Sequence, residues 1–183
     1  MTSKHVLVPI LLAMLLAAPV LATSVLHMNL DGLCDRADQI FRGVVVDIDK
    51  GTITAGGGEL PTVTYTLEVT EDFVGNITEI KGKKIATVTM VGTPASLAEP
   101  VEVNGIRKFS TLPSPPDLQV GHDYLLLTTP KSAIGLSTTV GLGQGCFSIN
   151  GEKASNQFQN EGLYEGPVAY DQLADDIRSA LAQ

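Results

Sequence analysis

The chain has 183 residues, 44% of them hydrophobic, and 20 acidic against 12 basic side chains give a formal charge of −8. A surface of that sign repels phosphate backbones, which argues against nucleic acid as a partner. Two cysteines and three histidines leave little material for a metal centre, and no HxxxH, HxH or CxxC spacing occurs.

The opening residues read as a cleavable secretory signal: Lys4 in a polar start, an apolar run over residues 6–16, and the small-residue exit Val20-Leu21-Ala22. That exit places cleavage between Ala22 and Thr23. A retained membrane anchor is the competing reading, but a spanning helix needs about 20 consecutive apolar residues, and Pro9 and Pro19 interrupt this segment. Lipid attachment needs a cysteine directly after the exit, whereas the first is Cys34. Removing the first 22 of 183 residues leaves 161, enough for one domain with its own core over residues 23–183, and losing Lys4 moves the formal charge from −8 to −9. The expected location is therefore secreted or periplasmic, with no membrane attachment after cleavage. In such a compartment Cys34 and Cys146 are expected to form a disulfide, the alternative being two separate buried thiols.

In chain order, apolar residues at Leu30, Leu33, Cys34, Ala37 and Ile40 predict a short helix capped by Asp31 and ended by Gly43. Residues 41–50 predict a strand with Val44, Val46 and Ile48 on one face, followed by a glycine-bearing loop over residues 51–60. The clearest signal is PTVTYTLEVTEDF, where Val63, Tyr65, Leu67, Val69 and Phe73 alternate with polar residues, the mark of a strand with one wet face. A third strand over residues 83–93 has Ala86, Val88 and Met90 on one side. Residues 94–121 read as irregular, with a possible hairpin about Asn104-Gly105. Strands follow at residues 122–129, 137–143 and 145–149, then a helix from Tyr170 with the stripe Leu173, Ile177, Ala180 and Leu181. Helices at the two ends with about six strands between imply a mainly β fold, a small antiparallel barrel or compact sandwich.

The segments CDRADQIFRGVVVDI, YTLEVTEDFVGN, VGHDYLLLTTP, VGLGQGCFSI and LADDIRSAL, spread over residues 30–181, resemble a group of exported bacterial proteins of unknown function. The fold which that resemblance implies is similar to the OB-like barrel of the netrin and tissue-inhibitor-of-metalloproteinase type, and it implies no reaction. Inhibitors of that type present an N-terminal cysteine to zinc. Here the expected terminus is Thr23, and Cys34 lies eleven residues further on.

Candidate chemical groups are few. His27 and His122 are the histidines left after cleavage, and Cys146 with His122 as base is a conceivable thiol site that a disulfide would silence. No GxSxG surrounds Ser148. Gly141, Gly143 and Gly145 suit a bulge or sharp corner better than a phosphate loop, which would open a helix. The pairs Asp47 with Asp49 and Asp171 with Asp175 read as solvated faces. Lys81, Lys83 and Lys84 read as an edge guard, Pro113 to Pro116 as a stiff connection, and Asn76-Ile77-Thr78 as a glycosylation sequon of use only in a glycosylating host. With no catalytic, cofactor or metal residue identified, the sequence points to an exported, non-enzymatic binding or structural interaction module. Its partner would be a protein or small ligand outside the cytoplasm, met through the Thr-rich face of residues 62–72 or through residues 94–121. The alternatives are an extracytoplasmic hydrolase with an unrecognised site and a protease-inhibitor-like module.

Overall fold

The computed structural model describes residues 26–94, 97, 101–103, 106–108, 116–156 and 163–183. The predicted signal and its cleavage point between Ala22 and Thr23 lie outside the described residues, as do the Asn104-Gly105 turn and residues 113–115.

Helix α1 is a single turn, Leu30–Cys34, and its cap is Asn29 rather than Asp31: the Asn29 Oδ1 accepts from the Gly32 N–H at 3.0 Å. It stops well short of Gly43 because the next residues are taken by a strand. Asp38 N–H donates to Thr128 O at 2.8 Å, and Gln39 and Ile40 pair with Thr128 and Leu127. Strand β1 then runs Gln39–Ala55 and β2 runs Gly58–Val74. The segment expected as a loop is the far end of this long hairpin. Its turn, Gly56-Gly57, has φ +60° and +82°, the doubly left-handed geometry that glycine adopts without strain and that matches strand twist. Strand β3 (Thr78–Ile80) and β4 (Lys83–Val91) form a second hairpin, and β5 (Val101–Val103) and β6 (Ile106–Lys108) pair about the Asn-Gly site. Strands β7 (Asp123–Thr128), β8 (Cys146–Asn150), β9 (Lys153–Asn156) and β10 (Val168–Ala169) precede helix α2, Tyr170–Leu181.

Eight strands make one antiparallel sheet in the order β10-β9-β8-β7-β1-β2-β4-β3, with β10 and β3 as its ends. The expected mainly β, antiparallel fold with a helix toward each end holds; among the described residues the sheet has eight strands rather than about six, and its end strands β10 and β3 do not pair with each other. The expected strand at residues 137–143 is also absent. A bridge joins Thr139 to Thr128, and then Val140–Gly143 forms a 3-10 turn with φ +66°, +56° and +110° at Gly141, Leu142 and Gly143. Three successive left-handed residues cannot continue a ladder. The segment before them nevertheless spans from β7 to β4, since Thr129 N–H donates to Thr138 O and Ser137 N–H donates to Thr89 O, both at 2.8 Å.

Both faces of the sheet are apolar. One is covered by the helices, where Leu33 and Cys34 of α1 and Tyr170, Leu173, Ala174 and Ile177 of α2 pack on Ile40, Leu125, Leu127, Phe147 and Ile149. Leu181, expected in the helix stripe, is 40% exposed, because the buried stripe follows Tyr170, Leu173, Ala174 and Ile177 instead. The other face gathers Phe41, Val45, Val63, Tyr65, Leu67, Ala86, Val88, Met90, Leu126 and Cys146, with Leu118. Bulges set which side chains join it. Register shifts between Arg42 and Gly43 and between Val45 and Asp47 make Phe41, Val45 and Ile48 the inward set of β1, while Val46 is exposed.

The expected disulfide is not formed in this structure. Cys34 and Cys146 are both free and buried. Along β8 the side chains alternate, so Phe147 and Ile149 face the helices while Cys146 joins the opposite cluster. Cys34 lies under the helices and Cys146 beyond the sheet, and a bridge needs Cα atoms within about 7 Å.

Candidate functional site

A connected polar constellation links α2 to β1, β2 and β7. The register skips Thr70, pairing Arg42 with Glu71 and Gly43 with Val69, and this bulge re-aims Glu71 and Phe73 onto the helix side. Arg42 donates through Nε and Nη2 to the Asp123 Oδ2 at 2.9 and 2.6 Å. Its guanidinium lies 4.1 Å from the centre of the Tyr170 ring. The Tyr170 hydroxyl donates to Glu71 Oε2 at 2.5 Å, and Arg178 pairs with the other Glu71 oxygen, with Asp175 at 2.8 Å, and with the face of Phe73. Asp123 Oδ1 is buried with no hydrogen-bond partner among the described residues.

Five charged groups and one phenol thus form a chain from β7 to the end of α2. Burial first, then the hydrogen bond to Glu71, holds the Tyr170 hydroxyl well above the ordinary phenol range, so it stays a donor. The hydrogen bond from Arg42 to Asp123 raises the guanidinium pKa further. Each carboxylate here contacts a cation, Arg178 being shared by Glu71 and Asp175, an arrangement suited to pinning α2 to the sheet. A groove of about 320 Å³ opens beside it, lined by Glu71, Asp72, Phe73, Arg178, Leu181 and Ala182.

A second built site is the glycine turn. Gln144 is 2% exposed. Its Oε1 accepts from the Met28 N–H at 2.9 Å, and its Nε2 donates to Leu26 O at 2.8 Å and to Gly141 O at 3.1 Å. Asn156 Nδ2 holds the Gln144 carbonyl at 2.6 Å. A Cβ on Gly141 would come within 2.9 Å of Met28 Cε and of Gln144 Nε2, so the turn needs glycine there. The motif is therefore a sharp corner that grips a strap, Leu26–Met28, by its main chain.

The remaining sequence candidates are dispersed. Burial pushes the Cys34 thiol up to about 11 and the wholly enclosed Cys146 thiol up to about 12, which removes both as nucleophiles at neutral pH. Cys146 pairs with Leu126, four residues along from the exposed His122. Ser148 Oγ donates to Ser155 O at 3.3 Å, as an ordinary strand residue. Asp47, Asp49, Asp171 and Asp175 are exposed. Lys83 and Lys84 pair with Glu68 and Asp72 at 2.8 and 2.5 Å, while Lys81 sits exposed in the β3–β4 turn. Asn76 is exposed, and its carbonyl accepts from Gln39 Nε2. On the Thr-rich face, Thr64 and Thr89 hydroxyls bond across the strands at 2.9 Å and Thr66 stands opposite Thr87.

The network of Arg42, Glu71, Asp123, Tyr170 and Arg178 has no local signature in the sequence, because its members come from four elements. Gln144 had one signal, the glycines on either side of it.

The long hairpin supplies an exposed feature of another kind. β7 pairs with β1 only over residues 39–44, and β4 pairs with β2 only over residues 62–68. Pro61 O still accepts from the Gly92 N–H at 2.8 Å, but among the described residues the three pairs from Ile53↔Leu60 to Ala55↔Gly58 form a ladder only with each other, an arm about 10 Å long. None of residues 49–61 is buried. One face of the arm and its base carries Ile53, Leu60 (38% exposed) and Val91 (43%).

No helix among the described residues is long and apolar enough to cross a membrane. Among the same residues no group of three or more His, Cys, Asp or Glu side chains is placed to hold a metal ion. No protein-family model matches the chain, and no curated protein matches it.

Proposed function

We propose that the chain is an exported, non-enzymatic interaction module, a single domain over residues 23–183, and that it meets a protein partner outside the cytoplasm through the β1–β2 arm. The observation that carries this reading is the arm itself: a two-stranded ladder projecting past its flanking strands, with exposed Leu60 and its half-buried cross-strand partner Ile53 on one side and exposed Val91 of β4 at its base. Exposed apolar side chains on a projecting ladder are costly to keep unless they are covered in use. The opposite side of the arm is polar, where the Thr54 hydroxyl hydrogen-bonds Glu59. An OB-like curl of the sheet is part of the same proposal, supported by the hydrogen bonds that the segment after β7 makes to β4. The acidic composition argues against nucleic acid as the partner.

The test is capture from the native envelope with the mature chain as bait, beside an Ile53→Glu/Leu60→Glu bait of unchanged melting temperature. A partner retained by the first and lost by the second supports the reading. Turnover of generic ester, peptide or glycoside substrates, abolished by His122→Ala, would replace it with the hydrolase alternative.

A further inference from the structure

The strap bound by Gln144 begins four residues after the predicted cleavage point, and the spacing has a consequence for maturation. Gln144 holds Leu26 O and Met28 N–H, a carbonyl and an amide two residues apart, as a neighbouring strand would. The grip is on main chain: the Leu26 side chain is 69% exposed, while Met28 and Leu30 pack on the helix-side core. Gln144 cannot swing away without leaving its buried position between Gly141 and Asn156. Only Thr23, Ser24 and Val25 separate Leu26 from the predicted bond, and three extended residues span about 10 Å. A processing protease takes the chain extended on both sides of the bond it cuts, with the upstream part still in the membrane. With the strap closed, the bond after Ala22 is tethered within about 10 Å of Leu26, so a membrane-bound protease must reach it against the body of the folded domain.

We propose that Gln144 and the Gly141 turn form a main-chain latch that competes with the signal peptidase for the segment after Ala22, so that cleavage before Thr23 precedes latch closure. This rests on the signal reading, and two measurements keep the failures apart. In the mature chain the Met28 amide should exchange slowly, at least tenfold faster in Gln144→Ala, and unchanged in Leu26→Ala. In detergent micelles with a type I signal peptidase, folded precursor should be cut at least tenfold more slowly than folded precursor carrying six Gly/Ser residues inserted between Val25 and Leu26. The insertion lengthens the tether upstream of the strap, an unchanged melting temperature serving as its control, and Gln144→Ala should speed cutting in the same direction. An unprotected Met28 amide overturns the latch. Equal cutting of the native and lengthened precursors, with Met28 protected, overturns the order of events. A product that starts elsewhere than Thr23 overturns the signal reading and, with it, this order, while the exchange result still decides the latch.

Discussion

Removing the Tyr170 hydroxyl measures what holds α2 to the sheet. Tyr170→Phe keeps the ring over Arg42 and deletes the hydroxyl, whose hydrogen bond to Glu71 is made at 2.5 Å by a residue 7% exposed and which also interacts with the Arg42 side chain. A hydrogen bond to a charged acceptor contributes about 1.5–3 kcal/mol net. Glu71 is 33% exposed and can recover water, which reduces the expected loss to about 1–2 kcal/mol. Arg178 is 53% exposed, so its ion pair with Glu71 is screened and Arg178→Ala should cost about 0–1 kcal/mol. Glu71→Ala should cost more than either, because it strands the Tyr170 hydroxyl within the helix-sheet contact. For a domain of this size about 1 kcal/mol moves Tm by about 2–4 °C, so the order Glu71→Ala, Tyr170→Phe, Arg178→Ala should be visible in thermal melts and urea titrations. An Arg178→Ala loss equal to that of Tyr170→Phe would refute the ranking. So would a Tyr170→Phe protein as stable as the parent.

Unreduced native protein should resist thiol reagents at pH 7.5 and show two reactive thiols on denaturation; because Cys34 and Cys146 occupy opposite faces, the stability losses of Cys34→Ser and Cys146→Ser should add, as measured by denaturant titration of the singles and the double. Alkali should destabilise the fold from about pH 9 upward. Cys34 and Cys146 have folded values raised to about 11 and 12 from 9.0, and Tyr65, Tyr164 and Tyr170 are also raised, so the unfolded chain loses protons first and stability falls between the unfolded and folded values; a urea midpoint flat from pH 8 to 11 would contradict this. Gly43→Ala should cost at least about 2 kcal/mol, since its Cβ would meet Glu68 O at 2.7 Å, whereas Gly58→Ala, with nothing within 4 Å, should leave the unfolding free energy from urea titration within about 0.5 kcal/mol of the parent.

Much of the local structure was legible in the sequence because local rules decide it. The alternation of Val63, Tyr65, Leu67 and Val69 marks β2, the set Ala86, Val88 and Met90 marks the buried side of β4, and the periodic Leu173 and Ile177 mark α2. A period of two or of 3.6 needs only one buried face to be read. The long hairpin was less legible, since Thr52, Ile53 and Thr54 lie next to three glycines that serve a tight turn as well as a loop.

What only the tertiary structure decided depends on register. The skipped Thr70 turns Glu71 and Phe73 to the helix side, and the shift at Val46 replaces the expected inward set of β1. Neither bulge has a local signature, because an extra residue is placed by what the partner strand offers. The cysteines show the same dependence. The expected export and an even count favour a bridge, but one step of alternation in β8 puts Cys146 in the cluster on the opposite side of the sheet from Cys34. The site residues Arg42, Glu71, Asp123, Tyr170 and Arg178 follow from that register, since four elements must already be in place before those side chains can meet.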